Sequence, residues 1–196
     1  MSTALFHRET PAEYFRTLVE SACEHRRLKV SDLTSYYLVN LLCGYVRFGP
    51  GSPAPLDDEP LALRLAKALE SGGEEQRARL RSLGDVSLFV SGFFSDSLRR
   101  KVVDVDYYVS MGEYAYGSLS RLDRDTFAVT FAELAERFAH FVDVLGEVSE
   151  QSGLTSQQDL LRLYERWLRA GSRRAGQKLV ERGIVPNASI GKRFLQ

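Results

Sequence analysis

The sequence contains few of the residues that form disulfide frameworks and metal centres. It has two cysteines, Cys23 and Cys43, and three histidines. The cysteines belong to no CxxC or Cys/His cluster, and two are too few for a disulfide framework, so we expect a reducing compartment. His140 lacks a glutamate three residues before it, the spacing that di-metal helical bundles use. We therefore expect no metal centre.

Motifs for phosphate binding and nucleophilic catalysis are also missing. The segment GPGS at 49–52 lacks the lysine of a phosphate-binding loop, and the sequence contains no GxGxxG. Ser91 is followed by glycine, but its surroundings are not those of a GxSxG nucleophile elbow. Consequently the sequence predicts no catalytic residue and no cofactor.

The sequence has neither an excess of charge nor a long hydrophobic run. It contains 26 basic and 26 acidic residues, so we do not expect the general attraction to nucleic acid of a strongly basic domain. The longest stretch without a charge is 14 residues, 33–46, which is shorter than the roughly 20 needed to span a bilayer. The N-terminus lacks the pattern of a signal peptide. We expect a cytoplasmic protein without a transmembrane segment.

The composition is that of a folded domain, because 44% of the residues are hydrophobic and 27% are charged. A length of 196 residues predicts one domain, which we place at 1–183, followed by a tail at 184–196. Four prolines and two glycines at 49–60 predict a proline-rich loop.

Helical signals extend over most of the sequence. Thr10–Glu13 has the pattern of a capping box with proline at the first helical position. Ser31 precedes a helix that is apolar almost all round and that we extend to about Phe48. A heptad seam predicts one continuous helix from about 125 to 151. The seam residues are Phe127, Phe131, Leu134, Phe138, Phe141, Leu145 and Val148. The expected fold is an all-α, single-domain bundle of six to eight helices.

The stretch 80–122 combines many aromatic residues with many small ones. Its apolar spacing predicts two helices, 80–98 and 104–122, that pair with each other. An alternative is a β-hairpin at 87–109, because Val102–Val109 is rich in β-branched and aromatic residues.

Two isolated acids in this stretch, Asp85 and Glu113, are flanked by apolar and small residues. A buried carboxylate must be paired or protonated. One explanation is a structural link to an arginine, such as Arg81 or Arg121, or to a tyrosine. The other is a polar anchor in a ligand pocket between the two helices. The candidate pocket residues are Asp85, Ser91, Phe94, Tyr108, Gly112, Glu113 and Tyr116.

The C-terminal segment is basic, with seven basic residues and one acid from Arg169 onward. Such a segment can dock on an acidic partner, although a solvated basic helix explains the same pattern. The candidate partner-binding face consists of Trp167, Arg169, Arg173, Arg174 and Lys178.

Three functions follow as hypotheses. The leading one is a non-catalytic interaction or regulatory protein that acts through protein–protein contacts or self-association. The second is a bundle that binds a small molecule or lipid between helices 80–98 and 104–122. The third is a helical enzyme in which Asp85 or Glu113 acts as acid or base, which requires a carboxylate of raised pKa that reaches a cleft.

Overall fold

The structure, a computed structural model, describes residues 10–45, 59–93, 105–123, 126–152, 167 and 173–181. These residues form eight helices in a compact arrangement and contain no strand. The helices are α1 (Pro11–His25), α2 (Asp32–Tyr45), α3 (Leu61–Glu70), α4 (Gly73–Phe93), α5 (Val105–Leu122), α6 (Phe127–Glu136), α7 (Phe138–Ser152) and α8 (Arg173–Glu181). The all-α prediction is confirmed. The β-hairpin alternative at 87–109 is wrong, because the described part of that segment lies in α4 and α5.

The first two helices begin where the capping signals predict. The Thr10 hydroxyl accepts a hydrogen bond from the Glu13 backbone N–H at 3.2 Å, and the Glu13 carboxylate accepts one from the Thr10 N–H at 2.8 Å. This reciprocal pair satisfies two N–H groups that have no partner inside the helix. Ser31 similarly accepts a hydrogen bond from the Thr34 N–H at 3.2 Å. Between α1 and α2 the chain turns at Arg27, whose φ is +52°.

Helix α4 lies at the centre of the fold. It contacts α2, α3, α5 and α7, and its most extensive contact is with α5. Arg77 lies beside Leu122, whereas Asp85, two turns further along α4, contacts Tyr116. The two helices are therefore antiparallel.

Two glycines bring the central helices close together. A Cβ atom on Gly84 would lie 2.6 Å from the Tyr116 ring, and one on Gly112 would lie 2.1 Å from the Phe138 ring. Such distances leave no room for a side chain, so α5 packs directly against α4 through Gly84 and against α7 through Gly112. An aromatic ring fills each of these two contacts, Tyr116 at Gly84 and Phe138 at Gly112.

The heptad seam enters the core, but it is not one helix. Six of its seven residues are buried and Phe127 is half-buried, as the spacing predicts. The prediction of a continuous helix from about 125 to 151 is wrong. Arg137, with φ −118° and ψ 24°, separates α6 from α7. The apolar side chains keep their spacing across this break, so the hydrophobic pattern does not reveal it.

Several predictions fall outside the described residues. They concern the proline-rich loop at 49–60, of which only Glu59 and Pro60 are described, and the ends of the two predicted central helices within 94–104. They also concern most of the last helix and the tail at 184–196. The division into one domain and a tail stays a prediction. Among the described helices, none has the length and apolar character needed to cross a membrane.

Candidate ligand-binding cleft

A cleft of about 710 Å³ opens beside the centre of α4. Six of its lining residues repeat at helical spacing along one face of α4: Glu74, Arg77, Ala78, Arg81, Ser82 and Asp85. The other walls come from α2, from the end of α5 with the residue that follows it, and from α6: Tyr45, Leu119, Asp123, Phe127 and Phe131. The cleft therefore joins segments that are far apart in the sequence, and one helix supplies most of its polar groups.

Asp85 forms the inner polar end of this cleft. Its Oδ1 atom accepts hydrogen bonds from the hydroxyl groups of Tyr37, at 2.5 Å, and Tyr116, at 2.7 Å. Both tyrosines are buried, while Asp85 keeps part of its surface open to the cleft. The Oδ2 atom accepts no hydrogen bond from the described part of the chain. The tyrosines thus hold the carboxylate in place through one oxygen and leave the other available.

Burial raises the pKa of the Asp85 carboxyl group, because the charged form loses hydration. Hydrogen bonds from Tyr37 and Tyr116 and the charge of Arg81 oppose this effect without cancelling it. The pKa values of both tyrosines are raised by burial and by the nearby carboxylate. Both hydroxyls are therefore protonated donors at neutral pH.

Arg81 lies one turn before Asp85 on the same face of α4. Its Nε donates a hydrogen bond to the Tyr37 hydroxyl at 3.3 Å. Its guanidinium carbon lies 5.2 Å from the centre of the Tyr37 ring, 6.0 Å from that of Phe127 and 5.9 Å from that of Phe131. Aromatic faces attract a cation at these distances. The three rings thus favour this position of the Arg81 guanidinium in the cleft. No described carboxylate forms an ion pair with it.

At the rim of the cleft the charges are paired. The Nε atom of Arg77 lies 3.0 Å from a carboxylate oxygen of Asp123, and its Nη1 contacts Glu74. Arg77 also donates a hydrogen bond to the Leu122 carbonyl at 3.4 Å. These contacts tie α4 to the end of α5 and define one edge of the opening.

Of the candidate pocket residues that it describes, the structure brings only Asp85 and Tyr116 together. Glu113 is exposed and does not line the cleft that contains Asp85. Ser91 is buried and donates its hydroxyl to the Ser87 carbonyl at 2.6 Å. Gly112 packs against the Phe138 ring.

Two further candidates complete the predicted pocket. Tyr108 is half-buried and contacts the neighbouring Tyr107 ring edge-to-face, with centroids 5.8 Å apart. Phe94 lies outside the described residues. Tyr108 does not line the cleft beside Asp85.

Sequence reasoning missed one side chain that holds Asp85. Tyr37 lies 48 residues earlier, in a helix whose apolar residues go nearly all round, so no local pattern singled it out. The sequence pattern indicates only a structural role for Arg81 and only core positions for Phe127 and Phe131. The available signal was the i,i+4 spacing of Arg81 and Asp85, which places both on one helix face.

The candidate partner-binding face is partly exposed. Arg173, Arg174 and Lys178 are exposed on α8, while Arg169 lies outside the described residues. Trp167 is only 7% exposed. Its indole ring lies against Gly176, where an added Cβ would approach it to 3.0 Å. Trp167 thus packs beneath α8, and the members of this face that are exposed are the three cations Arg173, Arg174 and Lys178.

No group of three or more histidine, cysteine, aspartate or glutamate side chains that could hold a metal ion occurs among the described residues. No protein-family model matches the sequence, and neither a curated protein nor a solved structure is found to be similar to it.

Proposed function

We propose that this protein binds a small organic molecule in the cleft beside Asp85. The observation that carries the proposal is the environment of this carboxylate. Its Oδ1 atom alone accepts both tyrosine hydroxyls, a task that the oxygen of an amide would perform without a buried charge. The second oxygen makes no hydrogen bond within the described residues. Polar groups that are costly to bury are typical of functional sites.

The walls of the cleft support the same proposal. Ligand pockets combine apolar and aromatic walls with a few convergent polar groups, in volumes of about 300–1,000 Å³. Here Leu119, Phe127 and Phe131 supply the apolar surface, and Arg81 and Asp85 supply the polar groups. The proposed site shares Asp85 with the pocket predicted between helices 80–98 and 104–122. It opens on the side of α2 and α6 instead, because aromatic rings fill the interface between α4 and α5.

Native mass spectrometry of freshly purified protein tests this proposal. We expect a co-purifying mass that disappears in Asp85→Asn or Arg81→Gln. The control is Arg79→Gln, which changes an exposed arginine on the same helix whose partner is Glu75. A library of small polar compounds, screened by NMR, provides the second readout. Bare polypeptide mass together with no resonance shifts from cleft residues would overturn the proposal.

The acid–base hypothesis requires one carboxylate, Asp85 or Glu113, that has a raised pKa and reaches a cleft. Asp85 has a raised pKa and lines the cleft. The other acid, Glu113, is exposed and does not line it. Because a reaction needs further groups around the substrate, ligand binding is the function that this geometry supports better.

A second proposal, binding to an acidic protein partner, is supported by α8. Arg174 and Lys178 are one turn apart, and both are exposed. Neither forms an ion pair with another described residue. The test is the double charge reversal Arg174→Glu/Lys178→Glu, which should abolish recovery of an acidic partner in a pull-down at low salt. Light scattering that shows a monomer, with no partner lost on charge reversal, would contradict this proposal.

A further inference from the structure

Arg81 and Asp85 present complementary polar groups to the same cleft. Arg81 uses Nε for Tyr37, and its two Nη groups make no hydrogen bond or ion pair within the described residues. Asp85 uses Oδ1 for the tyrosines and leaves Oδ2 available. Two donors and one acceptor of opposite charge thus face the cleft side by side.

These two charged groups do not satisfy each other. No ion pair joins Arg81 to Asp85 within the described residues, although residues four apart on a helix are close enough for one. The guanidinium lies instead over the rings of Tyr37, Phe127 and Phe131. The Tyr37 hydroxyl, which accepts from Arg81 and donates to Asp85, lies between the two charged groups.

The other charges on the cleft wall already have partners. Arg77 is paired with Asp123 and with Glu74. On the described walls of the cleft, a ligand therefore meets one available cation and one available anion. Beside them lies the apolar surface of Leu119 and Phe127.

We propose that the ligand is a small zwitterion of the α-amino-acid type, an inference that rests on the proposed function of the cleft. Its carboxylate receives two parallel hydrogen bonds from the Arg81 Nη groups, the geometry that guanidinium favours. Its ammonium group donates to Asp85 Oδ2. The side chain of the amino acid contacts Leu119 and Phe127. Because its two charged groups are attached to one carbon atom, an amino acid presents them at the short spacing that an i,i+4 pair of residues can bind.

The experiment compares ligands that carry both charges with analogues that carry one. The standard amino acids are screened against the wild-type protein by calorimetry. The tightest binder is then compared with its analogue without the amino group and with its analogue without the carboxylate. We expect each analogue to bind at least about tenfold more weakly, because each loses a charge-assisted contact and leaves a desolvated group unpaired.

Two variants assign the contacts. Asp85→Asn should abolish the preference for the amino acid over the analogue without the amino group. Arg81→Gln should abolish the preference over the analogue without the carboxylate. Arg79→Gln should bind all three compounds as the wild type does. Thermal melts of each variant verify folding, and the analogue series on the wild-type protein provides a test that needs no variant.

The possible outcomes separate this inference from the proposed function. Equal affinity for the amino acid and either analogue overturns the zwitterion. The zwitterion proposal is also overturned if none of the amino acids binds. In both cases the proposed function survives if a co-purifying mass or a library compound still shifts resonances of cleft residues. If these signals are also absent, the inference and the proposed function both fail.

Discussion

Asp85 shows how a single side chain can be both structural and available. Its carboxylate provides the acceptor for two buried tyrosine hydroxyls that would otherwise lack one, and a buried hydroxyl without a partner costs about 1–3 kcal/mol. When an aspartate provides this acceptor, its charge is dehydrated, which is unfavourable. An asparagine would provide an acceptor oxygen without that cost. The residue present at position 85 therefore points to a requirement beyond folding.

The stability of the protein should depend on the charge of Asp85. The groups that face it are Tyr37 on α2, Arg81 on α4 and Tyr116 on α5. Because its native pKa is raised, the folded chain binds more protons than the unfolded chain between about pH 4 and the native pKa. Its contribution to stability is therefore present below this window and is lost as the pH rises through the native pKa.

We expect Asp85→Asn to be at least as stable as the wild type at neutral pH. Its advantage should grow as the pH rises through this window and then level off. Asp85→Ala should lower the free energy of unfolding by about 2 kcal/mol or more, because it removes the acceptor of both hydroxyls. Urea unfolding from pH 4 to 8 measures these differences, with the exposed Glu20→Gln as control. An asparagine variant that is less stable than the wild type at every pH would contradict this account.

Gly112 is a second position at which the residue type has a specific structural cause. A Cβ there would lie 2.1 Å from Cζ of the buried Phe138, so Gly112→Ala should destabilise the protein by about 1–3 kcal/mol through overpacking. Gly117→Ala is the matched control on the same helix, since the nearest atoms to its Cβ would be at 3.7 and 3.8 Å. We expect Gly117→Ala to be neutral or to stabilise by up to about 1 kcal/mol through helix propensity. Thermal unfolding of the two variants, if equal, would argue against the close contact.

Among the helices, Glu133 connects the end of α6 to the start of α2. Its carboxylate accepts hydrogen bonds from the hydroxyls of Ser31, at 2.9 Å, and Thr34, at 2.7 Å, and pairs with Arg137 at 3.0 Å. A negative charge at the N-terminal end of a helix is also favoured by the helix dipole. The Glu133 side chain thus connects α6 to α2 and also contacts Arg137, the residue at the break after α6.

We expect Glu133→Ala to lower the free energy of unfolding by about 1–3 kcal/mol, because it removes the acceptor of a buried hydroxyl and an ion pair. Glu136→Ala, an exposed position at the end of the same helix, should change it by less than about 0.5 kcal/mol. Chemical denaturation of both variants measures the difference. Equal effects would mean that the Glu133 contacts contribute nothing specific.

The helices show how far the sequence alone could go. Local signals were enough to predict the start of α1, because Thr10 and Glu13 stand three residues apart. The heptad spacing was enough to predict the buried face of the seam. The break at Arg137 had no such signal, since a change at one residue left the spacing of the buried residues intact. For the site, the apolar surroundings of Asp85 marked it as unusual. Its partner Tyr37 depends on how α2 packs against α4, which local periodicity does not encode.

For the whole molecule, the central position of α4 predicts an order of local stability. The segment from Leu83 to Phe93 is almost entirely buried, and α4 packs against α2, α3, α5 and α7. Amide hydrogen exchange should therefore be slowest in this segment and should approach the rate set by global unfolding. The amides of α3, a ten-residue helix with two buried residues, should exchange faster. Faster exchange in the second half of α4 than in α3 would contradict this arrangement.

The two close helix contacts at Gly84 and Gly112 also constrain how this sequence can change during evolution. A larger residue at 84 fits only if the aromatic ring at 116 becomes smaller, and the same holds for 112 and 138. Because the Tyr116 hydroxyl also holds Asp85, loss of that ring would disturb the cleft as well. In related sequences we expect positions 84, 85 and 116 to change together or not at all. Glu113, exposed on the same helix, should vary independently of them.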